Sequence, residues 1–147
     1  MENIDVLFKE VKKDFFALRN GVIADAIRKL YEPGATIYGL TVEQFLQLAK
    51  KYPKDLEFGL KLWNDQNTRE SRLFALYVIP AASLDKATAK RMIHEVGSIE
   101  EAEFLAFKIL RHLPFAKELF IEVSQEQIDS NYTSYCISMF KKNLDQN

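Results

Sequence analysis

The chain has 147 residues, 48% hydrophobic and 28% charged, which is a globular mixture near the size of one domain and unlike a disordered chain. Twenty basic against 21 acidic residues give a net charge of −1, so the whole molecule exerts no long-range pull on nucleic acid and any such contact must rest on a local patch. A single cysteine, Cys136, excludes an internal disulfide, and His94 and His112 are too few for a zinc set, so no metal, no cofactor and a reducing, cytoplasmic setting are expected.

The acidic start, Met1 to Asp5, leads into a charged amphipathic stretch rather than an apolar one, and no signal peptide is expected. Val6, Phe8, Val11, Phe15 and Leu18 then recur at helical spacing and predict a first helix over about 4–18, followed by a second over about 20–31. Tyr31 to Leu40, with Pro33, Gly34 and Gly39, is the longest predicted loop. Thr41 and Gln44 have capping-box spacing and open a helix over about 42–51. Pro53 stands at a first helical position, where a missing N–H costs nothing, and starts a helix over about 53–65. Helices over about 68–80 and 84–96 follow, and Leu73 to Ala82, the longest apolar run, is about half the length needed to cross a bilayer. Ser98 with Glu101, Pro114, and Ser124 with Gln127 open the last three, over about 98–112, 114–123 and 125–143.

No run of strand alternation interrupts this pattern, so the expected class is all-α in one domain, 1–147. Short links make neighbours antiparallel, and the pairs 42–65, 68–96 and 98–123 repeat at roughly 25–30 residues, shorter than the roughly 40 of a HEAT pair. The expected architecture is an α-α superhelix of stacked antiparallel pairs of HEAT/ARM type, each pair burying its apolar face on the next.

Particular residues carry a resemblance. Tyr38-Gly39-Leu40-Thr41-Val42, then Leu46-x-x-Ala49-Lys50-Lys51, then Leu60-x-Leu62-Trp63-Asn64-Asp65, and above all Arg69-Glu70-x-Arg72-Leu73-x-Ala75-Leu76 resemble the HEAT-like DNA alkylation repair enzymes. Pro114-Phe115-Ala116 extends the match, which covers about residues 15–143. The resemblance implies helical pairs around a basic cleft that holds duplex DNA, and hydrolysis of the N-glycosidic bond of an alkylated purine. It also implies a catalytic Trp with an Asp four residues later, where this chain has Ile99 and Glu103. Ile offers neither the ring face nor the N–H of an indole, and the extra methylene of Glu moves the carboxylate by more than about an ångström. A basic pair on a late helix is implied too, but the stretch here is Asp129-Ser130-Asn131-Tyr132-Thr133-Ser134-Tyr135, and the chain stops at Asn147, where the family continues with further repeats. The expectation is a shortened, catalytically degenerate relative.

Two functions remain open on these residues. The first is a non-enzymatic scaffold that binds a protein or duplex DNA; the second is a glycosylase of alkylated purines with Glu103 as catalytic carboxylate, against its simpler reading as a solvated helix residue beside Glu100 and Glu101. Lys86, Lys90 and Arg91 form the best basic face for DNA, or an ordinary solvated one. Trp63 is read as core and Arg69, Glu70 and Arg72 as a structural ion-pair block rather than a ligand site or phosphate contacts. His94 and His112 lack partners for catalysis or metal binding, and Cys136 sits on an apolar helix as a small hydrophobe.

Overall fold

A computed structural model describes residues 3–146. Among them are nine α-helices: α1 Ile4–Ala17, α2 Gly21–Ile27, α3 Val42–Lys51, α4 Leu56–Trp63, α5 Arg69–Val78, α6 Lys86–Glu95, α7 Ile99–Lys108, α8 Ala116–Ser124 and α9 Asn131–Asp145. No strand is present among the described residues, only an isolated bridge between Thr36 and Thr68, so the all-α class holds. The chain divides into two compact units, Met1–Ile79 and Pro80–Asn147.

Local chemistry explains most helix starts. Thr41 accepts from the Gln44 N–H at 3.2 Å while the Gln44 side chain accepts from the Thr41 N–H at 3.0 Å, a complete capping box. Ser98 accepts from the Glu101 N–H at 3.1 Å, and the Glu101 carboxylate accepts from the Gly97 N–H at 2.9 Å. Asn3, Asn20, Asp55 and Asp85 cap α1, α2, α4 and α6 with side-chain oxygens.

Three predicted starts are corrected. Pro53 lies outside α4, because Asp55 accepts from the Phe58 N–H at 2.8 Å and sets the first turn there. Pro114 precedes α8 by two residues, in a turn that follows a 3-10 segment at Leu110–His112. The Ser124/Gln127 box does not form, since Ser124 ends α8, whose Val123 is buried, and Ser130 caps α9 through the Thr133 N–H at 3.3 Å. The predicted helix over 20–31 ends at Ile27 and tightens into a 3-10 turn at Arg28–Leu30.

The first unit is organised around α5, all ten residues of which are buried. α4 packs most extensively on it, and α3 also packs on α5 rather than closing a self-contained pair with α4 as the 42–65 repeat predicts. The approach of α4 is set by Gly59, where a Cβ would stand 2.2 Å from Ile79 Cγ1. Phe15, Phe45, Tyr52, Phe58, Phe74 and Tyr77 fill the centre, with Phe45 and Tyr77 stacked at 5.4 Å and Phe15 edge-on to Phe74 at 5.9 Å.

In the second unit the expected 98–123 pair is replaced by α7 against α9. α9, at 15 residues, is long enough to pack on α6, α7 and α8 together, whereas α8 has nine. Ala102, Ala106 and Cys136 keep the facing surfaces of α7 and α9 low, and Thr133 Oγ1 donates to the Ile93 carbonyl at 3.1 Å to tie α9 to α6.

A buried carboxylate locks the first unit. Glu70 is 0% exposed and accepts the N–H groups of Tyr38, Gly39 and Leu40 at 2.9, 3.0 and 3.3 Å. Arg69 closes the network, donating to Glu70 at 2.6 Å and to the Leu40 carbonyl at 3.1 Å. The loop fits because Gly39 has φ +90°, and a Cβ there would collide with the Asn20 carbonyl at 2.4 Å. Glu70→Ala leaves Arg69 and three amides buried without their acceptor and is expected to cost about 3–5 kcal/mol, with Glu70→Gln milder. Urea unfolding followed by the fluorescence of Trp63, the sole tryptophan, measures this; a loss under about 1 kcal/mol would refute the lock.

Candidate functional site

Trp63, Arg69, Glu70 and Arg72 come together inside the first unit. Trp63 is fully buried at the end of α4, the Arg72 guanidinium lies 3.8 Å from its ring centroid, and Arg72 donates to the Trp63 carbonyl at 2.9 Å. Asp65 accepts from Ser71 at 2.7 Å and from Lys12 of α1 at 2.5 Å, and Lys12 also donates to Thr68 at 3.1 Å. Arg69 and Arg72 are themselves buried, so their guanidinium groups hold helix and loop ends together instead of facing a phosphate.

Glu103 stands exposed on α7, where it accepts a hydrogen bond from the Tyr135 hydroxyl of α9 at 3.2 Å. Burial and the Glu103 charge hold the Tyr135 phenol above its ordinary value, so it stays a neutral donor at physiological pH. Ile99 and Phe107 flank Glu103 at i−4 and i+4 and are likewise exposed. Glu101, by contrast, is buried and occupied at the helix start, so the run Glu100 to Glu103 is not one solvated face.

Lys86 and Lys90 share one side of α6 and Arg91 turns away from them, and acids meet all three. Lys86 bonds Glu118 at 3.0 Å and Glu122 at 2.7 Å, Lys90 bonds Glu126 at 2.7 Å, and Arg91 approaches Glu95 at 3.8 Å. His94 adds a 3.0 Å contact to Glu126, giving this histidine a partner that the sequence did not suggest. Four carboxylates against three cations leave no positive patch here for a polyanion. The signal was the matched spacing: Lys86 and Lys90 are four apart, as are Glu118, Glu122 and Glu126, but facing elements are invisible in one sequence.

His112 accepts from Arg111 Nε at 3.2 Å. Burial pushes the Cys136 thiol up to about 12, which keeps it protonated and unreactive at neutral pH. Among the described residues no group of three His, Cys, Asp or Glu side chains is arranged to hold a metal, and no helix is long and apolar enough to cross a membrane.

The α6 ladder makes a pH prediction with a definite sign. Hydrogen bonds from Lys90 and His94 hold the Glu126 carboxyl below its ordinary value of 4.5, so its stabilising share is present above that value and lost as pH falls through the lower folded one. The melting temperature difference between wild type and Glu126→Gln is therefore expected to shrink as pH drops from neutral into the carboxylate range. A difference constant across that range would mean the ladder adds no stability.

Comparison with family models gives no match, and comparison with curated proteins gives none. Among solved structures the chain is similar to one described as belonging to a new family of proteins related to the HEAT-like repeat DNA glycosylases with affinity for branched DNA structures. Identity is 15% and the TM-score 0.77, over 93% of this chain and 57% of that one. The chain thus spans little more than half the length of that structure, and shares with it the all-α fold of HEAT-like repeats.

Proposed function

We propose that this chain is a non-catalytic helical scaffold that binds DNA, with branched or otherwise distorted duplex as its ligand class. The observation that carries the reading is the setting of Glu103: the one acid aligned with a glycosylase carboxylate is exposed beside Ile99 and Phe107 rather than held in a dry site. Cleavage of an N-glycosidic bond needs charge stabilisation in a water-excluding pocket, where electrostatic effects are large. An exposed carboxylate beside an aliphatic side chain supplies little of that. The DNA part of the reading is supported by the shared fold, since the structural neighbour is described by its affinity for branched DNA.

The glycosylase reading keeps one supporting observation, the Tyr135 hydroxyl on Glu103, which is the kind of contact that orients a catalytic carboxylate. The two separate in a paired assay. The scaffold is expected to bind a four-way junction more tightly than a linear duplex of equal length, on the order of tenfold. It is expected to release no base from a duplex carrying N7-methylguanine. Base release that disappears in Glu103→Gln would establish the enzyme instead, and equal or absent binding to junction and duplex would end the scaffold reading.

A further inference from the structure

The two units differ in charge: residues 1–79 hold twelve basic and eleven acidic side chains, residues 80–147 eight and ten. α1 itself is balanced, with Lys9, Lys12 and Lys13 against Asp5, Glu10 and Asp14, and its packing sorts these charges onto different faces. Its inner face, Leu7, Val11 and Phe15, is buried. One flank, Glu10 and Asp14, is engaged by Lys51, and Asp14 also by Tyr52; the other flank, Phe8 and Lys12, meets Lys61 and Asp65. What remains is an outer face of Val6, Lys9, Lys13, Phe16 and Ala17, all exposed and bordered by two exposed acids that other lysines already meet, Asp5 by Lys61 at 3.1 Å and Glu10 by Lys51 at 3.6 Å. Neither Lys9 nor Lys13 has a carboxylate at ion-pair distance among the described residues, unlike the lysines of α6.

At the end of this face Phe16 is 55% exposed, and the Arg19 guanidinium lies over it, 3.9 Å from the ring centroid, held by its bond to the Phe16 carbonyl at 2.8 Å. Tyr38 meets Phe16 edge-on at 6.4 Å. Arg19 and Tyr38 also line an open depression of about 440 Å³ with Ala17, Gly21, Ala24 and Ile37. A second Arg-on-Phe pair, Arg111 over Phe107 at 3.8 Å, shares its helix face with Glu103, whose charge repels a polyanion.

We infer that the outer face of α1 and the adjoining depression bind an unpaired stretch of nucleic acid, with Lys9 and Lys13 on phosphates and Phe16, Arg19 and Tyr38 against a base. The inference rests on the DNA-binding reading and narrows it to the unpaired arms and gaps that some branched structures carry. Planar stacking surfaces beside unneutralised cations are the chemistry that recognises single strands without regard to sequence. Duplex, with its bases stacked inside, can use only the lysines.

The test is fluorescence anisotropy with a labelled short oligothymidylate, a matched duplex and a four-way junction at several salt concentrations, with helicity checked by circular dichroism. Wild type is expected to prefer the single strand over duplex. Phe16→Ala should weaken single-strand binding roughly tenfold and leave duplex binding unchanged. Lys9→Gln with Lys13→Gln should reduce the salt dependence for the single strand by about 1.4 in log–log slope, about 0.7 for each phosphate that is no longer neutralised. Phe107→Ala and Lys86→Gln should behave as wild type. If the junction is bound but the α1 variants bind as wild type, this assignment fails while the scaffold reading stands; if no DNA of any kind is bound, both fail. Binding to phosphatidylserine vesicles in place of oligonucleotide, lost in the same variants, would give the face to a lipid surface and overturn the proposal.

Discussion

A carboxylate with no exposure to water must have its hydrogen-bonding capacity met by protein groups, and Glu70 is met by three backbone amides and one guanidinium. The amides belong to the segment Tyr38–Leu40, so the demand of one charge on α5 fixes the path of a loop some thirty residues earlier. That path positions Thr41 to cap α3 and brings the Tyr38 carbonyl to the Asn20 N–H at 2.7 Å, which places α2. The bridge between Thr36 and Thr68 continues the attachment toward the start of α5. Removing the charge would release several elements at once.

The same economy explains why Arg69 and Arg72 are buried. A guanidinium is weakly hydrated and planar, so it can satisfy carbonyls at helix ends and still lie on a ring, as Arg72 does on Trp63. The sequence shows a block of two arginines and a glutamate, and the structure adds to the Arg69–Glu70 ion pair a clamp on backbone. The residues were legible as structural; their acceptors, the carbonyls of Leu40 and Trp63, were not, because a main-chain partner leaves no mark in side-chain chemistry.

Helix content was legible wherever apolar period and cap agreed, as at Thr41 and Ser98. It was misread at Ser124, which has the box spacing yet ends α8, while α9 is capped by Ser130, which no box spacing marks. Prolines misled for a related reason. Pro53 and Pro114 are compatible with a first helical position, but Asp55 supplies a cap and Pro114 follows a 3-10 turn, so each helix begins later. Pairing was the least legible layer, since α7 chooses α9 over its neighbour in sequence on the strength of length and small facing side chains.

Charge along the sequence proved a poor guide to charge in space. Lys86, Lys90 and Arg91 stand together on α6 and look like a basic face, yet α8 and Glu126 bring enough carboxylates to cancel them. Lys9 and Lys13 on α1 are interspersed with Glu10 and Asp14 and look neutral, yet the acids pair with Lys51 and Tyr52 and leave these lysines without a carboxylate at ion-pair distance among the described residues. The distinction is helical geometry: residues one apart diverge by about 100°, so a mixed run sorts into faces of opposite sign once a partner claims one of them. What decides whether a lysine can greet a phosphate is therefore the flank that its neighbours' acids occupy, which only the packed fold determines.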